Sequence, residues 1–329
     1  MIDILMTVYN GEQYVVPQIE SILNQTDSNW KLFIQDDCST DRTVELIEPY
    51  VRRYPERITL LRNEKNSGSA QKNFFSMLPL VEHSYCMFCD HDDVWKPRKV
   101  EMTVRRMMEL EQANGQDTPL LVHTDLAVAD ENLKVLSDSM FRSQNLNRKG
   151  NRLNNLLVQN NVTGCTMMVN KALVDMVGPA PKHAVMHDWW MALIAACFGK
   201  IGFVRQATIL YRQHRANEVG AKNARSLSYN ARRLAEREQA RKVLNDTYLQ
   251  AREFEERYHA LLKPEDLELL QVYQNLPYFG KLRRIAVLFR YHLFKHGLAR
   301  ILGQLLFVCF CLFVQEPKGK PGLIWFFDS

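Results

Sequence analysis

The chain has 329 residues, of which 46% are hydrophobic, and a net charge of +5. That length allows one large or two small domains, and the apolar share suits a packed globular protein and excludes a largely disordered one. So mild a positive balance does not point to nucleic acid, and none is expected as a partner.

The first 125 residues alternate between strand and helix patterns. Ile2–Val8 is an apolar, β-branched run. From Glu12 to Asn24, Val15, Val16, Ile19, Ile22 and Leu23 recur at helical spacing. Leu32–Gln35 reads as a strand; Ser39, Thr40 and Asp41 then offer N-cap side chains for a helix carrying Val44, Ile47 and Val51. Ile58–Leu61 is a third strand, Phe74–Leu80 a helix and Tyr85–Cys89 a fourth strand. Pro97 is expected in the first turn of a helix reaching Glu111. Leu120–His123 is a fifth strand, ending at Asp125. Such alternation argues for an α/β fold with a mainly parallel sheet and helices on both faces. Ligands bind such sheets beyond the carboxyl ends of the strands. Here those ends carry Thr7 and Asn10, Asp36 and Asp37, Asp90 and Asp92, and Asp125.

Beyond residue 125 the pattern loosens. "NNVTGCTMMVN" suggests a turn entering a strand, and "HDWWMALIAACFG" a helix starting near Asp188 and stopping at Gly199. This divides the chain into an α/β unit over 1–222, a charged helical extension over 223–280 and a basic, apolar segment over 281–329. Residues 281–300 hold Lys281, Arg283, Arg284, Arg290, Lys295 and Arg300 with no acid. Taken as one helix, these basic residues fall all round the wheel. The apolar run 301–314 is too short for a standard transmembrane helix. Cations beside such a run favour contact with an anionic membrane surface, with a C-terminal core or homodimer helix as the alternative. The opening "MIDILMTVYN" has no basic n-region and no cleavage site, so a cytoplasmic location on the inner face of the membrane is expected.

Seven cysteines are present, and Cys86 and Cys89 have C-x-x-C spacing. On a strand they point to opposite faces, and no second pair completes a zinc site. They read as buried thiols.

"DHDD" at 90–93 is the feature with chemistry. Asp90 and Asp92 lie two residues apart at a strand end and so point the same way. Carboxylates gathered there suit a hard divalent cation, Mg²⁺ or Mn²⁺, shared with phosphate oxygens. A solvated acidic turn is the bland alternative.

Four further stretches accompany it: "ILMTVYNGEQYVVPQIESILNQT", "FIQDDCSTDRT", "NEKNSGSAQKN" and "HDWW". Together and in this order they resemble the family 2 glycosyltransferases of GT-A fold, over residues 1–220. Cys38 stands where that family's "DDGSTD" element has glycine. "HDWWMALIA" followed by "YRQHRAN" resembles the rhamnosyltransferase subgroup. The resemblance implies an inverting, metal-dependent transfer of one sugar. Thr7 and Asp37 would contact the base, Tyr9 and Asn10 would line the nucleotide pocket, and Asp90 would lie near the ribose. Asp92 would hold the metal, His214 would be a further metal or diphosphate ligand, Arg212 would pair with phosphate, and Asp188 would be the general base. Asp37 as a turn acid, Asp188 as an N-cap and His214 as a loop residue stay open. The resemblance implies a dTDP-rhamnose or UDP-sugar donor and a lipid-linked saccharide acceptor. The family's processive Q-x-x-R-W element is absent, which favours single-sugar transfer. A sugar-1-phosphate nucleotidyltransferase would need a glycine-rich basic loop where this chain reads "TVYNGEQY". A catalytically dead membrane scaffold is the remaining alternative.

Overall fold

The structure is a computed structural model that describes residues 1–214 and 237–310. The expected alternation is there: β1 (Ile2–Val8), α1 (Val15–Leu23), β2 (Trp30–Asp36), α2 (Thr43–Arg53), β3 (Ile58–Arg62), α3 (Ala70–Met77), β4 (Tyr85–Asp90), β5 (Val94–Trp95), α4 (Lys99–Asn114) and β6 (Leu120–Ala129). Pro97 lies two residues before α4 rather than in its first turn. β6 runs past Asp125 because β7 (Val135–Ser137) and β9 (Lys200–Arg212) pair with its second half.

The sheet has nine strands in the order β3-β2-β1-β4-β8-β6-β9-β5, with β7 attached to β6. β1, β2, β3 and β4 are mutually parallel, as are β6 and β9, whereas β8 (Met168–Asn170) runs antiparallel to both β4 and β6. The parallel half is buried on both faces, which explains why β1 is mostly apolar and fully buried, its two polar residues Asp3 and Thr7 included. One face packs Ile4 and Met6 against Val15, Ile19 and Ile22 of α1 and Val100 and Met107 of α4. The other packs Leu5 and Phe88 against Phe74 of α3 and Trp190–Ala195 of α8 (His187–Phe198). Cys86 lies in the second core and Cys89 in the first, on opposite faces of β4; both are buried free thiols. Between β7 and β8 lie α5 (Met140–Ser143) and α6 (Leu153–Val158), and α7 (Lys171–Val177) follows β8.

After β9 come α9 (Arg237–Tyr258), α10 (Pro264–Asn275), α11 (Lys281–Arg290) and α12 (Leu298–Phe310). Their apolar side chains, among them Phe254, Tyr273, Leu288 and Val308, join the same core as α8. The basic stretch 281–300 is not one helix. His292 and Gly297, at φ +51° and +95°, turn the chain between α11 and α12, so a single helical wheel does not describe it. No helix among the described residues is long and apolar enough to cross a membrane. Residues 223–236 of the charged extension, Arg215, Ala216 and Asn217 of "YRQHRAN", and 311–329, including the end of the apolar run, lie outside the described residues.

Candidate active site

The carboxyl ends of β1, β2 and β4 open into a cleft of about 730 Å³. Thr7, Tyr9, Asn10, Asp37, Asp90, Asp92 and His214 all line it. Strand register brings them there: Thr7 pairs with both Gln35 and Asp90.

Two loops carry the nucleotide side. Asn10, at φ +48°, accepts through Oδ1 from the Thr40 N–H at 2.8 Å, and its own N–H donates to Ser39 Oγ at 2.9 Å. These bonds tie the loop after β1 to the loop after β2. Asp37 is held by Asn63 Nδ2 at 2.6 Å and by the Ser67 N–H and Oγ at 2.8 and 2.7 Å. The neighbouring Cys38 adopts φ +65°, the left-handed region that glycine tolerates best. The turn shape is therefore kept despite the substitution, with the strain accepted by cysteine. Tyr9 is half exposed at the mouth.

Two ionisable side chains, Asp93 and Lys99, are buried at the acidic turn after β4. Asp93 is fully buried and its Oδ1 accepts the Arg212 N–H at 3.1 Å. Burial, then the charges of Asp92 and Asp90, push its carboxyl well above the usual range. Beneath it Lys99 is also fully buried, 4.6 Å above the Trp95 ring, with its amine pulled down to about 8 by burial. Arg212 does not line the cleft. Its Nε donates to the Asp92 carbonyl at 2.8 Å, another N–H donates to the Glu131 carbonyl, and its guanidinium lies 4.7 Å from the Tyr14 ring centre. These donations reach backbone carbonyls and brace the acidic turn, so they lend no support to the phosphate pairing expected of Arg212.

That clamp delivers His214, two residues on. Its Nε2 lies 2.8 Å from Asp92 Oδ2, and its ring stacks on Tyr14 at 4.7 Å. Six carboxylates line the cleft, from Glu12, Asp37, Asp41, Asp90, Asp92 and Glu131, and no Lys or Arg does so among the described residues. An anionic ligand needs a cation here, and carboxylates with the His214 imidazole beside Asp92 fit Mg²⁺ or Mn²⁺. Asp90, Asp93 and Cys165 can also bring ligand atoms within 4.8 Å of one another. Burial and the nearby carboxylates keep the Cys165 thiol protonated, so it is a poor partner for a hard cation.

Asp188 stands in the first turn of α8, which adjoins the same region through Met186 at the cleft wall. Its Oδ2 accepts the Gly164 N–H at 2.8 Å and its Oδ1 the Asn160 Nδ2 at 3.0 Å. Burial pushes its carboxyl up to about 7, against the pull of those donors. His187 beside it is buried between Phe74 and Phe88, with ring centroids 4.2 and 5.0 Å away, and burial holds it down at about 3, hence neutral. Asn160, Gly164, Lys99 and Tyr14 were given no role from the sequence, and His187 only as part of "HDWW"; Asn160 and Gly164 both lie inside "NNVTGCTMMVN".

Residues 3–176 match the family model described as Glycosyl transferase family 2. The chain belongs to that family. This glycosyltransferase is 27% identical over 227 residues to the dTDP-rhamnosyl transferase RfbG of Shigella flexneri, covering 66% of the chain and 74% of RfbG. It is 33% identical over 109 residues to WfgD of Escherichia coli, a UDP-Glc:alpha-D-GlcNAc-diphosphoundecaprenol beta-1,3-glucosyltransferase, and that match spans 33% of the chain and 42% of WfgD. Among solved structures, S. aureus TarS 1–349 in complex with UDP-GlcNAc superposes with a TM-score of 0.55 at 16% identity, covering 87% of this chain and 83% of that one. The mannosyltransferase PcManGT from Pyrobaculum calidifontis, in complex with GDP-Man and Mn²⁺, gives 0.50 at 14% identity over 94% and 84%. These likenesses establish the fold, which is GT-A.

Proposed function

We propose that this glycosyltransferase moves one sugar, L-rhamnose from dTDP-rhamnose, onto a lipid-linked saccharide acceptor in bacterial surface polysaccharide synthesis, with inversion. The observation that carries the reading is Asp188: a buried carboxylate beside the cleft, oriented by Asn160 and Gly164 and pushed up to about 7. A base of that basicity takes a hydroxyl proton far better than an ordinary carboxylate. The acceptor oxygen attacks the anomeric carbon as Asp188 removes its proton. The base and ribose occupy the Thr7, Tyr9, Asn10, Asp37 and Asp90 side of the cleft. Asp92 and His214 would hold the Mg²⁺ or Mn²⁺, which supplies charge neutralisation for the leaving diphosphate. Arg212 holds the Asp92 turn in place.

RfbG supports the rhamnosyl donor, and WfgD supports both a diphospholipid acceptor and a second reading with a UDP-hexose donor. A thermal-shift panel of dTDP-rhamnose, UDP-glucose, UDP-GlcNAc and GDP-mannose, each with Mn²⁺ or Mg²⁺, separates the two, because stabilisation follows mass action. The true donor raises Tm most. Equal, negligible shifts for all would overturn the nucleotide-sugar reading.

A further inference from the structure

The C-terminal helices leave two apolar stripes without cover among the described residues. On α11, Leu282, Ala286 and Phe289 are exposed, Leu282 at 85% and Phe289 at 58%. At about 100° per residue these three fall within roughly 60° of one another. The exposed Lys281 lies on one side of that stripe and the exposed Arg283 and Arg290 on the other. On α12, Leu298, Leu302 and Leu306 repeat every four residues and are exposed at 73%, 51% and 51%. Neither helix can turn its stripe inward. Arg284, on the buried side of α11, donates to the carbonyls of Leu276, Pro277 and Val308, and Val287, Leu288 and Val308 already occupy the core.

The same unit is fastened beside the active site. The His296 N–H donates to Gln159 Oε1 at 3.0 Å, and Asn154 Nδ2 donates to the His292 carbonyl at 3.1 Å. Asn160, the residue after Gln159, is the one that orients Asp188. So the exposed face and the candidate base are braced by one short segment.

Exposed leucines and phenylalanine of this density are unusual on a soluble surface, and they mark a docking face. Charge selects the occupant. Of the basic side chains in 281–310, Lys281, Arg283 and Arg290 are exposed beside the α11 stripe while Arg284 is buried, and the segment has no Asp or Glu; basic side chains flanking an apolar stripe suit an anionic lipid surface. We propose that α11 and α12 form a docking face that lies in the interface of an anionic phospholipid bilayer, with the helices parallel to the surface rather than crossing it. The segment from Asn154 to Asn160 then holds Asp188 in fixed relation to that surface.

Co-sedimentation of the full chain with vesicles tests this without any assumption about donor or acceptor. Vesicles of phosphatidylcholine alone are compared with phosphatidylcholine and phosphatidylglycerol at a ratio of about 3:1, at low and high salt, since the charge contribution is screened. Binding should appear with the anionic vesicles and weaken with salt. Leu282→Asp with Phe289→Asp should reduce the bound fraction at least tenfold, with circular dichroism and Tm unchanged. Leu298→Asp with Leu302→Asp is the independent pair, should the first fail to fold. Equal binding to neutral and anionic vesicles, or full binding by both folded pairs, would overturn the proposal. So would a dimer seen by light scattering that these substitutions dissolve, because the face would then belong to a second copy.

Discussion

The Asp92 carboxylate and the His214 ring meet at 2.8 Å across 122 positions of sequence. Nothing local enforces that contact. It depends on the end of β9 being pinned to the acidic turn by Asp93 and Arg212. If the two form a metal site, Asp92→Asn and His214→Ala should each weaken Mn²⁺ binding by at least about tenfold to a hundredfold, the range seen when groups supporting a metal site are removed. Electron paramagnetic resonance titration of Mn²⁺ reads this directly. Unaltered Mn²⁺ affinity in both folded variants would remove them from the ligand set.

Arg212 gives a sharper version. Arg212→Met keeps much of the side-chain length but loses the donors to the Asp92 and Glu131 carbonyls. Buried carbonyls left without a donor cost about 1–3 kcal/mol each at most. The expected result is a lower Tm together with a higher Mn²⁺ requirement for transfer and little change in the donor KM at saturating metal. A phosphate-binding arginine would show the opposite, a large rise in donor KM at any metal concentration.

Gly164 is required by close approach. A Cβ there would lie 2.7 Å from His187 Nε2 and 3.5 Å from Asp188 Oδ2. His187 is wedged between Phe74 and Phe88 and has nowhere to retreat. Gly164→Ala should therefore destabilise the protein by about 1–3 kcal/mol, the usual range for overpacking, and lower kcat through the displaced Asp188. Denaturant unfolding and steady-state rates test the two effects separately.

Cys38 offers a gain. A non-glycine residue in the left-handed region costs about 1–2 kcal/mol, and Cys38 sits at φ +65°. Cys38→Gly removes that strain but loses the thiol's contact with the Asn63 carbonyl at 3.2 Å and adds freedom to the unfolded chain. A net gain of up to about 1 kcal/mol is expected, within the strain range just given, with donor binding unchanged. A lower Tm would mean the thiol contact outweighs the strain.

What was legible in the sequence was what local pattern encodes. The alternation of β1 to β6 and the acids at the strand ends follow from periodicity within short windows, and the placement of Cys38 stood out against the family's glycine. The bracing contacts of Arg212 were not legible, because they are made to Asp93 and Glu131, each about 80 to 120 residues away. Nothing in the local pattern singles out Lys99, and only the packing of α4 on the sheet buries it. The break at His292–Gly297 was within reach, since a glycine inside a helical pattern weakens the case for one helix. The even spread of basic residues along 281–300 masked it.

Asp188 makes the strongest demand on the proposed mechanism, because its effects on rate and stability have opposite signs. Its carboxyl is pushed up from the usual 3.8 to about 7 by burial. Between those pH values the folded protein holds a proton that the unfolded chain has lost, so this group's contribution to stability falls as pH rises through that window. Asp188→Asn cannot ionise. Its stability relative to the parent should therefore improve from about pH 4 to pH 7, with an upper bound of about 4 kcal/mol at 1.36 kcal/mol per pKa unit. The amide accepts from only one of Gly164 and Asn160, which trims the gain. The rate should move the other way. The parent must lose the proton to act as a base, so kcat climbs toward a plateau above about pH 7, and Asp188→Asn lowers kcat by about 10²- to 10⁴-fold while donor-induced thermal shifts persist. Stability and rate measured across pH 4–8 decide the matter together. A variant that is less stable at every pH and has lost donor binding would make Asp188 a structural cap of α8.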